Sequence, residues 1–133
     1  FKTKKTWIVH GGDGLDEITL SGKTFAAEIS GAKIREFEIS PSDFGLKNSE
    51  LNNLEKSSPA GSAKLIREIL SNETKNETAR YLVLINAAAT IFVSGKAENL
   101  QQAFETADKS LESGKALQKL NDLIEKTKED VSV

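Results

Sequence analysis

The 133-residue sequence predicts an α/β fold with its strands at the front and a helical carboxyl-terminal half. Three observations carry that prediction. A β-branched and aromatic run, Thr6-Trp7-Ile8-Val9-His10, leads directly into Gly11-Gly12-Asp13-Gly14, which breaks any regular element. Two further strand-like runs, Thr24 to Ile29 and Ile34 to Ile39, are joined by Ser30-Gly31-Ala32-Lys33, a connection of hairpin length. Beyond Asn53 the apolar residues recur every three or four positions, the spacing of helices buried along one stripe.

Taken in order, the first run reads as a strand feeding a flexible loop, and the next two as an antiparallel hairpin. Pro41 to Asn53 carries turn formers, with Pro41-Ser42-Asp43-Phe44-Gly45 as its clearest punctuation and Asp43 serving the turn. Ala63, Ile66, Ile69 and Leu70 mark a first helix. A nearly all-round apolar helix follows from about Glu77 to Ser94, closed by Gly95 as its C-cap. Its longest apolar run, Tyr81 to Val93, is too short to cross a membrane and is interrupted by Asn86 and Thr90. Leu100, Ala103, Phe104, Ala107 and Leu111 make an amphipathic helix that ends at Gly114. Leu117, Leu120, Leu123 and Ile124 form the stripe of a last one, and Lys126 to Val133 reads as a charged, frayed tail. Three strands alone would leave long unpaired edges, so further strands of the same sheet are expected elsewhere.

Hydrophobic residues make up 38% of the chain and charged residues 29%, a balance that argues for a globular domain and against disorder. The 18 basic and 20 acidic residues are spread along the chain, so neither a nucleic-acid partner nor a membrane surface is indicated. The absence of cysteine excludes disulfides and thiolate chemistry, and with no apolar leader it predicts a cytoplasmic setting. The sequons at Asn72 and Asn76 are read as incidental for the same reason. A chain that begins with Phe1 and lacks methionine is expected to be truncated or processed.

His10 to Glu17 gathers three carboxylates, three glycines and the only histidine into eight residues, and no other segment is so dense in chemistry. Glycines after a strand let the backbone turn sharply, and carboxylates supply the hard oxygen donors that magnesium prefers. In a regular strand Asp16 and Glu17 would point to opposite faces, so joint metal binding requires irregular backbone there. On composition alone, a solvated acidic turn accounts for the segment equally well. His10, with no second histidine or cysteine to form a zinc site, is assigned no catalytic role. Ser21-Gly22-Lys23-Thr24 resembles the end of a phosphate-binding loop, but Glu17 stands where that motif needs glycine. Asn86 inside its apolar helix reads as a buried amide bonded to a neighbouring loop.

The run Val9-His10-Gly11-Gly12-Asp13-Gly14-Leu15-Asp16-Glu17-Ile18 resembles the segment of anthranilate phosphoribosyltransferases whose adjacent Asp-Glu pair holds a magnesium ion. Further similarity follows in the family's order: Ile39-Ser40-Pro41-Ser42-Asp43-Phe44-Gly45-Leu46, Leu84-Ile85-Asn86-Ala87-Ala88-Ala89 and Ser113-Gly114-Lys115-Ala116-Leu117. The resemblance implies part of a mixed-sheet three-layer domain of the nucleoside phosphorylase/phosphoribosyltransferase type. Residues 1–133 would be the carboxyl-terminal part of its α/β domain. It implies transfer of the phosphoribosyl group from phosphoribosyl pyrophosphate to anthranilate, in tryptophan biosynthesis, with Mg2+ held by Asp16 and Glu17. The family's Gly-rich diphosphate loop, its lysine-histidine-asparagine segment and its anthranilate-binding arginine have no counterpart here. The isolated chain is therefore expected to be inactive, and the homodimer is expected of the parent. Ser58-Pro59-Ala60-Gly61-Ser62-Ala63 replaces a stretch that in the family tends to read Gly-Gly and later Asn-Ala. A pyrimidine nucleoside phosphorylase fragment and a non-catalytic magnesium-binding module are the alternatives.

Overall fold

A computed structural model describes residues 3–51, 54 and 58–129 of the chain. Three strands, β1 (Thr6–Gly11), β2 (Thr24–Ser30) and β3 (Lys33–Ile39), are followed by four helices, α1 (Pro59–Leu70), α2 (Glu77–Val93), α3 (Leu100–Glu112) and α4 (Lys115–Glu129). The strands form one antiparallel sheet in the order β1-β2-β3. Ser30 pairs with Lys33, which leaves Gly31-Ala32 as a two-residue turn with Gly31 at φ +60°. Positive φ at the first central position is what a type II′ hairpin turn needs. β1 joins the same ladder, with Gly11 opposite Thr24, so the acidic loop is the excursion between two paired strands.

The described residues of 1–55 and 76–107 make one compact unit, and those of 56–75 and 108–133 make a second. The first holds the core. Ala26 and Ile39 of the sheet, Ile18 and Leu20 of the loop, and Phe44 of a short 3-10 turn (Pro41–Phe44) are buried with Leu82, Ile85, Ala88 and Ala89 of α2 and Ala103 of α3. In that turn the Ser40 N–H donates to the Asp43 carboxylate at 2.7 Å, the local role expected of Asp43. α2 starts where the Asn76 side chain accepts the Ala79 N–H at 3.0 Å. It ends where Gly95, at φ +76°, donates its N–H to the Phe92 carbonyl while Lys96 donates to that of Ile91. That is the Schellman pattern expected of Gly95. Among the described residues no helix is long and apolar enough to cross a membrane.

In the second unit Ile69 of α1 and Leu111 at the end of α3 are buried. Ser58 caps α1 by accepting the Gly61 N–H, with Pro59 in the first turn. α1 ends on Asn72 at φ +60°, a left-handed position that asparagine tolerates better than most residues. Both sequon asparagines are thus helix-terminal residues. α4 continues to Glu129, past the Lys126 at which the sequence suggested fraying. Lys126 and Lys128 suit the negative end of the helix dipole, so charge there supports the last turn.

The two faces of the sheet differ. Ile8, Phe25 and Ile34 lie on one face and are 60%, 52% and 70% exposed. On the other, Trp7, Glu28 and Arg35 stand directly opposite one another across the three strands. The Trp7 ring lies 5.1 Å from Phe37 and 5.3 Å from Phe92 of α2. Its Nε1–H donates to Glu28 Oε2 at 2.8 Å, and Lys5 and Arg35 each approach the same carboxylate at 3.7 Å. The Trp7 hydrogen bond, opposed by partial burial and helped by the two cations, holds the Glu28 carboxyl below its ordinary range. A depressed carboxyl stabilises the fold above its unfolded pKa, and that contribution is lost as pH falls through the folded value. Urea midpoints followed by Trp7 fluorescence are therefore expected to drop as the solution is taken below about pH 4. Glu28→Gln should make that acid limb shallower, and an identical acid limb in the variant would remove Glu28 as one of its sources.

Candidate metal centre in the glycine-rich loop

The loop from Gly12 to Lys23 is tied down by hydrogen bonds of its own backbone. Gly12 donates to the Lys23 carbonyl at 2.8 Å, Gly11 to that of Leu15 at 2.8 Å, and Gly14 to that of Gly11 at 2.9 Å. Two of its glycines are required by geometry. A Cβ on Gly12 would stand 2.9 Å from the Lys23 carbonyl oxygen, and Gly14 sits at φ +95°. Asp16 and Glu17 lie on bent, non-strand backbone, which meets the condition that both carboxylates could serve one ion.

The side chains of the loop divide into two kinds. Asp13 is engaged: it accepts hydrogen bonds from Thr19 Oγ1 at 2.5 Å, Ser21 Oγ at 2.7 Å and the Leu15 N–H at 3.3 Å. Partial burial opposes its charge, but the Thr19, Ser21 and Leu15 donors outweigh it and hold the Asp13 carboxyl below the usual range. Glu17 is the reverse case. Burial first, and then repulsion from Asp16 and Asp13, pushes its carboxyl up. Neither Asp16 nor Glu17 makes a hydrogen bond or ion pair with the described residues.

From below, α2 grips the loop through one residue. Asn86 Oδ1 accepts the Ile18 N–H at 3.0 Å while its Nδ2 donates to the Ile18 carbonyl at 3.0 Å and to the Leu82 carbonyl at 3.0 Å. The expected bond from the amide to a neighbouring loop is therefore found, with Asn86 half-buried rather than buried, and the loop it holds is the acidic one. Thr19 and Thr24, both buried, complete the anchorage, with the Thr19 N–H donating to Thr24 Oγ1 at 3.1 Å. Sequence reasoning missed these hydroxyls. The available signal was a pair of threonines bracketing the loop's return to β2.

His10 lies exposed on the outer sheet face opposite Phe25, apart from this arrangement. Ser21-Gly22-Lys23-Thr24 leads into β2 rather than into a helix, and Lys23 pairs with Glu38 at 2.5 Å, so the rejected phosphate-loop reading stays rejected. Among the described residues no group of three or more His, Cys, Asp or Glu side chains could hold a metal. A pair of carboxylates still suits magnesium, which commonly takes one or two protein carboxylates and completes its shell with water and substrate phosphates. Two unengaged carboxylates that repel one another on a tethered backbone fit such an ion, whose charge would relieve the repulsion.

Residues 1–117 match the glycosyl transferase family, a/b domain, and the chain belongs to that family. The members it resembles are anthranilate phosphoribosyltransferases. That of Nitrosomonas europaea is 42% identical over 123 residues, 92% of this chain and 36% of the relative. That of Colwellia psychrerythraea is 43% identical over 129 residues, 97% of this chain and 35% of the relative. The chain thus spans about a third of the length of the curated relatives it matches. Among solved structures, the Saccharomyces cerevisiae enzyme in complex with 4-fluoroanthranilate aligns with a TM-score of 0.81 at 32% identity, covering 91% of this chain and 35% of that one. The same enzyme in complex with PRPP and Mg aligns at 0.77 and 31%, covering 88% and 33%. The alternative of a pyrimidine nucleoside phosphorylase gains nothing from these relatives.

Proposed function

We propose that this chain supplies the magnesium-holding loop of an anthranilate phosphoribosyltransferase, which joins the ribosyl carbon of phosphoribosyl pyrophosphate to the anthranilate nitrogen and releases pyrophosphate. Residues 1–133 would be the carboxyl-terminal part of its α/β domain. The observation that carries the reading is the pair Asp16 and Glu17, side chains without partners on a backbone tethered on both sides. Support comes from the kinship with anthranilate phosphoribosyltransferases, one of which is described in complex with PRPP and Mg.

In this reading Asp16 and Glu17 are the protein ligands. Magnesium, when bound, offsets the charge that gathers on the departing pyrophosphate. The chain's own residues act before the chemistry: Asn86 and the Gly11–Leu15 bond hold the dipeptide in place, so little reorganisation is needed when the ion arrives. Glu17, raised by its surroundings, must lose any proton it carries, so binding is expected to strengthen from acid to neutral pH.

The test is a titration of the chain with Mn2+, read by the electron paramagnetic resonance of the free ion. One site is expected, and replacing both Asp16 and Glu17 with alanine should weaken it by about 100-fold or more. The intact enzyme carrying that pair of changes should lose turnover of phosphoribosyl pyrophosphate and anthranilate to a similar degree. Unchanged Mn2+ binding by the double variant would sink the metal assignment.

A further inference from the structure

Asp13 has the right chemistry to be a third ligand, three residues before Asp16 and carrying the same charge. Its oxygens, however, are turned into the loop. Oδ2 receives two hydroxyls, Thr19 Oγ1 at 2.5 Å and Ser21 Oγ at 2.7 Å, and Oδ1 receives the Leu15 N–H at 3.3 Å. Each hydroxyl has a single proton, so when both point at Oδ2 they do not donate to one another. Thr19 Oγ1 then accepts the Ser21 N–H at 3.0 Å instead. Thr19 is fully buried and its N–H is bonded to Thr24 Oγ1 at the start of β2. Asp13 is therefore chained through Thr19 to the sheet.

That chain has a consequence for the neighbouring dipeptide. Leu15 is held at its N–H by Asp13 and at its carbonyl by Gly11, and Ile18 is held at both groups by Asn86. Asp16 and Glu17 are the two residues between those fixed points. The geometry points to Asp13 as a positioning residue of the metal pair: with Thr19 and Ser21 it fixes where Asp16 and Glu17 stand, and it is not itself a ligand. The inference rests on the reading of Asp16 and Glu17 as metal-holding residues.

The experiment uses the full chain, with Mn2+ as the probe and Trp7 emission with near-UV circular dichroism as the check on folding. Thr19→Val combined with Ser21→Ala keeps the Asp13 carboxylate but removes what orients it. A positioning role predicts Mn2+ binding weaker by about 10- to 100-fold, the range typical for the residues that orient ligands. Ser21→Ala alone alters an exposed side chain, so it secures the test if the double variant folds poorly, and it is expected to weaken binding several-fold. Asp13→Asn retains one carbonyl oxygen for both hydroxyls and should recover most of what Asp13→Ala loses. A ligand role predicts the opposite pattern: freeing the carboxylate leaves binding unchanged or tighter, and Asn is as damaging as Ala. Wild-type affinity in the Thr19/Ser21 variants, with binding still abolished by Asp16→Ala/Glu17→Ala, would overturn the positioning role and leave the metal pair standing. Binding that survives Asp16→Ala/Glu17→Ala would remove the metal pair itself, and the positioning role with it.

Discussion

Asn86→Leu is expected to destabilise the fold by about 3 kcal/mol, because it leaves two buried backbone groups of Ile18 without partners and each such loss costs about 1–3 kcal/mol. Leucine is close to asparagine in size and would suit the apolar helix around it, so packing alone favours the change. The magnitudes decide against it. Burying a leucine side chain contributes at most about 1.5–3 kcal/mol, and Asn86 is already partly buried, so only a fraction of that is gained. The orphaned N–H and carbonyl of Ile18 cannot turn to water, since Ile18 is buried beside Leu20 in the core. Among the described residues no buried side-chain nitrogen or oxygen is without a hydrogen-bond partner, the usual state of buried polar groups. Urea unfolding of the wild type and variant should show a lower midpoint with an unchanged slope, and amide exchange should accelerate at Ile18. A loss below about 1 kcal/mol would mean that the loop finds other partners and that Asn86 is not its clamp.

What could be read in the sequence, and what could not, follows from how local each determinant is. The hairpin and Gly95 are set by neighbours within a few residues, so composition and spacing were enough to place them. Asn86 was legible for another reason: a lone amide in an apolar helix must find a partner, even where the sequence does not say which. The Asp13 network was not legible. Its partners stand six and eight residues away along irregular backbone, where neither the strand nor the helix period says which side chains meet. The part Asn72 plays in ending α1 was not legible, because its left-handed conformation depends on where the helix stops. For the metal pair, composition left an acidic turn and a metal loop equally good. The family resemblance favoured the second, and the bends at Asp16 and Glu17 remove the objection that a regular strand would have raised.

The sheet makes the other large effect. Trp7→Ala is expected to destabilise the chain by about 3–5 kcal/mol, the usual cost of deleting a well-packed tryptophan. Trp7 joins β1 to α2: its ring meets Phe37 of β3 on the same sheet face and Phe92 of the helix, each pair at close to 5 Å between centroids. Aromatic pairs at that separation contribute about 0.5–1.5 kcal/mol each beyond the area they bury. Truncation also removes the Nε1–H from Glu28, whose side chain is 17% exposed and keeps only the two cations at 3.7 Å. Trp7→Phe separates the contributions. It preserves most of the ring contact but not the donor, so it should lose about 1–2 kcal/mol and raise the Glu28 pKa toward its ordinary value. Because the variants lose the chain's only tryptophan, unfolding must be followed by far-UV circular dichroism. Should Trp7→Phe prove as damaging as Trp7→Ala, the hydrogen bond to Glu28 would outrank the packing. If neither variant shifted the midpoint, the ring would contribute nothing to holding α2 on the sheet.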